Sequence, residues 1–493
     1  MKKFMALITA GFIALSGIPV FAGDTTQSTN NQETTSKEAA ASTPATAEEA
    51  PITDQNVIDA MQYGLITNDW AKHLDEKLTQ DALTALTTAL QTKIATIEGL
   101  KKQTKKVDFK ATEGISKQAV LESLYLTVAE YDYGFDNEVE KNQGIDYFKA
   151  IDVVDKDITN EDLKKDCTYR DAALFVKTII DKIFNGEDAA SKGFLWKVEK
   201  GKNTVYMLGS IHLADSSIYP FSDEIMDAFN KADTLAVEAD ITNTEALQEF
   251  YSLQMYSDNT TLKDHISTDL YDKIMKATEI LQGDKNAVNT VKPWALNLAY
   301  SNIINTMGLD TNNDSVSAAS LGIDSYLLNS AHLSNKKIAE VESVSFQGHM
   351  FDNFSKELQE YQLNSTVDAV LAAVNKSSDT STDKNKIQDP SEDEAFITQC
   401  LNFWKSGDAE KFTKLNDQIF DIPKDTKHEK EINEYFTKFY DERDKHMGET
   451  IENWLNQEGE HTYFVTVGSS HYVDRAGIIP YLTEKGFTVT PIK

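Results

Sequence analysis

The chain has 493 residues, a formal net charge of −31 at pH 7 and two cysteines, Cys167 and Cys400. So acidic a surface repels nucleic acid and anionic membranes, which argues against both as partners. Two cysteines exclude a disulfide framework and a cysteine-based zinc site. They leave open a single bridge between Cys167 and Cys400, although buried free thiols are the simpler expectation. The length is sufficient for two domains.

The first fifty residues are predicted to lie outside the folded domains. Residues 1–22 join two lysines to an apolar run closed by small residues, which is typical of a secretory signal peptide. An uncleaved membrane anchor is the alternative, but the run is short for spanning, and no later segment predicts a transmembrane anchor. Residues 23–50 lack large apolar side chains and predict a disordered linker. We therefore expect a secreted, extracellular protein, soluble or associated with the cell wall.

Residues 51–190 are predicted to form a mostly helical domain with weak internal repetition. Three helices open on a Ser or Thr at the N-cap position, namely Thr79, Ser116 and Thr168. The pattern resembles S-layer homology modules, although only Arg170 occupies the arginine position of their signature. The resemblance implies that this domain binds a cell-wall polymer, and plain helical packing is the alternative.

Residues 191–493 alternate strands with helices. Phe194–Val198 and Val205–Leu208 flank a Gly/Asn turn signal, which predicts a β-hairpin. A helix then leads to the strand Thr234–Ala239, and this strand-helix-strand order predicts a parallel pair. After a mostly helical stretch, Lys337–Glu342 reads as a third strand. The pattern predicts an α/β (α+β-like) domain with a largely parallel sheet and helical insertions.

The same strand-and-turn motif occurs twice in this domain. Val205–Leu208 is followed by Gly209-Ser-Ile-His212, and Tyr463–Val467 is followed by Gly468-Ser-Ser-His471. Because parallel strands end at the same edge of a sheet, the two motifs bring two imidazoles together there. This edge is the predicted active site. The residues predicted to shape the two turns are Gly209, Ser210, Gly468 and Ser469.

Glu238 and Glu342 end two further strands and are expected at the same edge. Two imidazoles and a carboxylate are the ligand set of many hydrolytic metal sites, in which the ion lowers the pKa of a bound water. We assign His212 and His471 as metal ligands and Glu238 as the third ligand or the general base. A Glu at a strand end also caps helices or pairs with Lys, so the structural alternative remains open.

At this point the chain resembles the TraB/GumN family, which includes plasmid pheromone-shutdown proteins and is similar to the Tiki metalloproteases. The motifs that carry the resemblance occur in the family's order. They are the Trp196 strand, Gly209–His212, Glu238, Lys292-Pro-Trp294, Gly322-Ile-Asp324, Glu342-Ser343 with Gln347, Trp404–Asp408, Arg443 and Gly468–His471. The sequence departs from the family at Ser210, where Thr is usual, and at Asp444, where Asn is usual.

The resemblance implies a metal-dependent peptidase acting on peptide or protein substrates, and it favours manganese or cobalt. Zinc is also compatible with nitrogen and oxygen ligands. Glu342 is then a further carboxylate at the same edge. Arg443 is a clamp for a substrate carboxylate or for the developing oxyanion, unless it only forms a salt bridge with Glu442 or Glu449 on its own helix.

Two other functions fit the sequence. One is a metal-free hydrolase in which His and Glu perform acid–base attack, because erythromycin esterases have a distantly similar arrangement. The other is a wall-associated, non-enzymatic protein that sequesters a peptide signal. No Gly-x-Ser-x-Gly surrounds a motif serine and no His-Glu-x-x-His is present, which argues against a serine hydrolase and excludes an ordinary zincin.

Overall fold

The computed structural model describes residues 53–103, 107–134, 142–306, 317–378, 396–420, 427–473 and 477–492. The predicted signal peptide at 1–22 and the predicted linker at 23–50 lie outside these residues. In the described ranges, no helix is both long enough and apolar enough to cross a membrane.

Up to residue 186 the described chain is mostly helical, with one small two-stranded sheet, and from residue 194 onwards it mixes strands with helices. The helices are α1 Gln55–Gln62, α2 Gln80–Ile94, α3 Lys117–Val128, α4 Ile145–Ala150, α5 Asn160–Lys164, α6 Tyr169–Gly186, α7 Asp223–Lys231, α8 Thr244–Leu253, α9 Leu262–His265, α10 Thr268–Ile280, α11 Lys285–Val288, α12 Pro293–Thr306, α13 Ile323–Leu333, α14 Val344–Asp352, α15 Lys356–Ser378, α16 Phe396–Ser406, α17 Ala409–Phe420, α18 Glu429–Phe436, α19 Glu442–Leu455, α20 Ser469–Val473 and α21 Ile478–Glu484. A π-helical turn, Thr437–Asp441, joins α18 to α19.

The strands form a two-stranded and a six-stranded sheet. They are β1 Lys101–Lys102, β2 Tyr131–Asp132, β3 Phe194–Lys200, β4 Asn203–Ser210, β5 Thr234–Val237, β6 Lys337–Glu340, β7 Thr462–Gly468 and β8 Val489–Ile492. The larger sheet has the order β6-β5-β7-β4-β3-β8. β6, β5, β7 and β4 run parallel, and β3 pairs antiparallel with β4 and β8. The predicted α/β fold, its largely parallel sheet and its hairpin are confirmed.

β4 and β5 run parallel, as the strand-helix-strand order predicts, and β7 lies between them. Phe464, Val465 and Val467 of β7 are all buried. An apolar strand covered on both faces is best placed in the interior of a parallel sheet. The C-terminal strand therefore enters the middle of the sheet, next to the strand that carries the first motif.

This order places both Gly-x-x-His motifs at one edge. β4 and β7 are paired in register up to Ser210 and Gly468. His212 follows two residues after the end of β4, and His471 lies in the short helix α20 that begins directly after β7. β5 ends at Val237 and β6 at Glu340, earlier than predicted, so Glu238 and Glu342 lie in the turns beyond their strands.

The N-terminal helices begin as predicted. The side chain of Thr79 accepts a hydrogen bond from the Ala82 amide, Ser116 does the same for Ala119, and Thr168 forms a capping box with Asp171. The segments before these helices also pair with each other, since Leu78 N–H donates to Cys167 O and Cys167 N–H donates to Ile115 O. Cys167 and Cys400 are both buried free thiols.

The N-terminal helices pack against the segments that follow the first motif. The Tyr326 hydroxyl of α13 donates to Asp59 (3.1 Å), and the Gln62 amide donates to Ser320 O (3.1 Å). Lys93 Nζ of α2 donates to Ser216 O at 2.7 Å. Lys93 is only 7% exposed, and burial together with the nearby charge of Lys405 lowers its pKa to about 7. One buried amine therefore lies at this contact.

We expect Lys93→Met to flatten the pH dependence of stability. Between pH 7 and about 10.4 the unfolded chain keeps the Lys93 proton and the folded chain does not, so stability increases with pH in this window. The variant loses this contribution, a slope of about 1.4 kcal/mol per pH unit. Urea unfolding at pH 7, 8 and 9 measures it. Lys101→Met, at an exposed lysine, is the control, and equal slopes for wild type and Lys93→Met would contradict the expectation.

Candidate active site

The two motif histidines and Glu238 converge on Gly468. A Cβ placed on Gly468 would lie 3.7 Å from His212 Nε2, 3.5 Å from His471 Cδ2 and 3.4 Å from Glu238 Oε2. The structure therefore brings together three residues that the sequence separates by up to 259 positions. Because glycine has no side chain, the space between these groups stays open.

His212 is oriented by Asp324 of α13. Its Nδ1 lies 2.5 Å from Asp324 Oδ2, and its buried Nε2 has no hydrogen-bond partner among the described residues. Gly322 allows this approach, since a Cβ there would lie 2.2 Å from His212 O. The Gly-Ile-Asp motif thus packs a helix start against the backbone of the first histidine. The other ring nitrogen of His212, Nε2, faces Glu238 Oε2 at a distance of 4.0 Å.

His471 is oriented by Asp444 in the same way. Its Nδ1 lies 2.5 Å from Asp444 Oδ1, and both side chains are buried. Its Nε2 accepts a hydrogen bond from Arg443 Nη1 at 3.2 Å. The rings of Phe439 and Tyr440 pack on the imidazole, with 5.9 and 5.4 Å between ring centroids. Together these contacts fix the orientation of the His471 imidazole.

Arg443 is the centre of a buried ionic cluster. The side chain is 1% exposed, and it donates from Nε and Nη2 to Glu342 at 2.7–3.0 Å and from Nη2 to Glu238 at 2.5 Å. Its guanidinium also lies 5.0 Å from the Phe439 ring. These partners come from the turns after β5 and β6. The prediction of a salt bridge with Glu442 or Glu449 is replaced by contacts across the sheet edge.

Glu238 links this cluster to the second motif. One oxygen, Oε1, accepts from Arg443 and from Gln347 Nε2 at 3.1 Å, and the other, Oε2, accepts from the Gly468 amide at 2.9 Å. Gln347 also donates to Glu342 at 3.3 Å. Glu238 Oε2 is therefore the carboxylate oxygen nearest to the histidines, and Glu342 lies behind Arg443.

The motif turns are held by close backbone contacts. A Cβ on Gly209 would lie 2.8 Å from Ser469 Oγ, and this hydroxyl donates to Ser210 O at 2.9 Å. Trp404 Nε1 donates to Gly209 O at 2.6 Å. These contacts explain why glycine stands at 209, and they give Ser469 and Trp404 positioning roles. Ser210 is buried beside them.

The two histidines differ in protonation. Burial alone would lower the pKa of His212, but the charge and hydrogen bond of Asp324, with the charge of Glu238, raise it to about 9. Burial and the neighbouring charge of Arg443 hold the pKa of His471 well below its usual range. His212 is thus a cation near neutral pH, and His471 is neutral with its Nδ1 proton on the Asp444 side.

The residues present suit a divalent cation in their chemistry. The buried Nε2 of His212 lacks a partner among the described residues, and four carboxylates surround only two cationic groups, Arg443 and the protonated His212. As placed, however, no three His, Cys, Asp or Glu side chains of the described ranges are arranged to hold a metal ion. Arg443 contacts both His471 Nε2 and Glu238, two of the three predicted ligand groups.

Three residues of the site, Asp324, Asp444 and Gln347, were assigned no role in the chemistry from the sequence. In the sequence, Asp324 and Gln347 belong only to the family motifs, and Asp444 is a departure from the family pattern. In the structure Asp324 and Asp444 contact the Nδ1 atoms of the two histidines, and Gln347 donates to Glu238 and Glu342. The sequence signal was their position in the motifs, since Asp324 lies two residues after Gly322 and Asp444 adjoins Arg443.

Two comparisons with known proteins find similar sequences. The profile of the TraB/PrgY/gumN family matches residues 194–491. The protein named Metalloprotease TIKI1, from Xenopus tropicalis, is 21% identical over 334 residues, which cover 62% of this chain and 62% of that protein. The chain thus spans less than two thirds of the length of this relative. No solved structure matches the chain. Because the family profile covers more than half of the chain, including both Gly-x-x-His motifs, the chain belongs to the TraB/PrgY/gumN family.

Proposed function

We propose that the protein is a metal-dependent hydrolase, specifically a peptidase that cleaves peptide or protein segments. The observation that carries the proposal is the convergence of two carboxylate-oriented histidines and Glu238 on Gly468. Carboxylate–histidine pairs of this kind fix the tautomer and the orientation of metal-binding imidazoles. Similarity to a protein named as a metalloprotease supports the same reaction class.

His212 Nε2, His471 Nε2 and Glu238 Oε2 are the atoms that would hold the ion. When bound, the ion supplies Lewis acidity and lowers the pKa of a water near the scissile carbonyl. Manganese or cobalt is favoured by the resemblance to Tiki proteins, and zinc suits the same nitrogen and oxygen donors. Ligation requires His212 to give up its Nε2 proton, so metal affinity increases with pH as this proton is lost.

The remaining residues position this set. Asp324 and Asp444 hold the imidazoles through their Nδ1 atoms, and Glu342 holds Arg443. Arg443 directs its hydrogen bonds at Glu342, Glu238 and His471, so we assign it to positioning and charge balance instead of a substrate clamp. Glu238 keeps the proposed role of third ligand or general base.

The metal-free His/Glu mechanism receives less support from these contacts. The lone pair of His471 accepts from Arg443, and both oxygens of Glu238 accept hydrogen bonds. No neutral imidazole in the site is thus free to remove a proton from water while these bonds persist. Sequestration of a peptide signal without cleavage remains the second candidate, because the cleft described below suits peptide binding.

Export and wall association are also part of the proposal. Residues 1–22 direct secretion, and residues 51–190 form a domain that binds a cell-wall polymer. Arg170, the residue in the position of the S-layer signature, is paired with Asp54 at 2.6 Å and with Asp75 at 3.1 Å. A pull-down of the full-length protein with purified wall polymer tests the binding, and no retention at physiological salt would remove it.

We expect Arg443→Met to destabilise the chelated protein and to increase its response to metal. Loss of the guanidinium leaves Glu238 and Glu342 buried without their cation, which costs about 3–5 kcal/mol. A divalent cation offsets part of this penalty, so manganese or cobalt should raise the melting temperature of the variant more than that of the wild type. Thermal melts with EDTA and with each metal measure both effects.

Arg170→Met is the matched control, since Arg170 is 40% exposed in its side chain and its surface ion pairs contribute at most about 1 kcal/mol. If Arg443→Met is as stable as Arg170→Met in EDTA, the buried cluster does not have the central role assigned to it.

We expect hydrolysis of a mixed peptide library to need both histidines and a divalent metal. His212→Ala and His471→Ala should each lower the rate about 100-fold or more, because each removes one ligand. Exhaustive chelation should abolish hydrolysis, and manganese or cobalt should restore it. Mass spectrometry of the products measures the rates, and calorimetric metal titration gives a second measurement that does not depend on turnover.

His446→Ala is the control, because His446 is exposed on α19, three residues from Arg443. Hydrolysis that survives chelation would indicate the metal-free mechanism. Peptide binding that is retained by both histidine variants, with no cleavage by the wild type, would indicate a sequestering protein.

A further inference from the structure

A cleft of about 480 Å³, counting its open mouth, extends from the two histidines to a wall made by α16, α17 and the π-helical turn. One side of the cleft is polar and includes Ser210, Ser469 and Ser470 next to the imidazoles. The other side is apolar. Its lining side chains are Phe396, Ile397, Cys400, Phe412, Phe439 and Tyr440.

The side chains that the structure describes in the apolar wall include no charged group. Among the described residues that line the cleft, the imidazoles are the only ionisable side chains apart from the Cys400 thiol and the Tyr440 phenol. Burial raises the pKa of the Cys400 thiol, which keeps it neutral at pH 7. Although 26% of the residues in the chain are charged, the wall beside the site is uncharged, and it therefore discriminates between charged and apolar side chains of a ligand. A charged group entering it would lose its hydration and find no partner.

The wall is also formed in advance. Ile397, Cys400, Phe412 and Tyr440 are buried, and Phe412 packs on Phe194 of β3 with 5.1 Å between ring centroids. Tyr440 contacts the ring of His471 at 5.4 Å. The apolar surface therefore begins at one of the reactive imidazoles and continues away from it. A side chain bound there belongs to a residue next to the bond that the histidines face.

We infer that the cleft is a specificity pocket for an uncharged, apolar side chain, so that the substrates are peptides with an aliphatic or aromatic residue adjoining the scissile bond. This inference rests on the proposed peptidase function. It goes beyond that function by naming the residues that select the substrate and the chemical class they select. Cys400 lies in the middle of this wall and offers a position at which the size of the pocket can be changed.

The first test is a set of peptides that differ at one residue next to the scissile bond, with Ala, Leu, Phe, Asp or Lys there. With manganese or cobalt present, kcat/KM should be tenfold or more higher for Leu and Phe than for Asp and Lys. Hydrolysis-resistant analogues of the same peptides, with a reduced amide, give dissociation constants that should follow the same order. Equal kcat/KM across the set would overturn the inference and leave the peptidase function standing.

The second test changes the size of the wall. Cys400→Met extends a longer side chain into the cleft and should lower the ratio of kcat/KM for Phe over Ala about tenfold. If this variant fails to fold, Cys400→Ala gives the opposite change and should raise the preference for Trp over Leu. Cys167→Ala is the matched control, because Cys167 is the other buried free thiol and does not line the cleft. An unchanged ratio in a folded Cys400 variant overturns the assignment.

Binding separates failure of the inference from failure of the proposed function. If no peptide is cleaved but the Leu and Phe analogues bind tightly and the Cys400 variants change their affinity, the peptidase proposal fails and the pocket stands. If neither cleavage nor selective binding of apolar analogues is found, both fail. A charged cell-wall polymer added as a competitor should leave the affinity for the Phe analogue unchanged. Displacement of the analogue by this polymer would overturn the assignment of the apolar side of the cleft to apolar groups.

Discussion

The contact of Arg443 with Glu238 and Glu342 is the constraint on which the site depends. These three groups are buried and come from α19 and from the turns after β5 and β6. Buried charges are tolerated only when they are paired and hydrogen bonded, so the sheet edge and the helix must meet in one arrangement. The same guanidinium then reaches His471 Nε2. Charge pairing thus fixes the position of a residue that we assign to the chemistry.

This pairing also explains why two similar motifs produce two different histidines. Each imidazole has an aspartate on Nδ1, but only His471 has a guanidinium on Nε2. Burial lowers the pKa of both imidazoles, but the charge and hydrogen bond of Asp324 raise the pKa of His212, whereas the charge of Arg443 lowers the pKa of His471 further. His212 and His471 therefore differ in proton affinity, although the two motifs that carry them are alike.

The sequence predicted the features that depend on local patterns. The hairpin, the capped helices at Thr79, Ser116 and Thr168, and the parallel sheet follow from periodicity and turn residues. Tertiary pairings were harder to predict. For Arg443 the sequence left open a clamp for substrate and a salt bridge within its own helix, since only helix neighbours can be paired from sequence alone. Its partners in the structure lie 101 and 205 residues away. Asp444 was interpreted as a departure from the family, since only the fold reveals His471 beside it.

The N-terminal helices contact the elements that hold His212. Tyr326 lies two residues after Asp324 on α13 and bonds Asp59, and Tyr63 packs on Tyr219 in the segment after the first motif. α1 thus contacts the same helix, α13, that carries the Asp324 carboxylate at 2.5 Å from His212 Nδ1. A hydrogen bond this short changes strongly with sub-ångström shifts. The N-terminal helices therefore support the geometry of the first histidine, in addition to any binding role of their own.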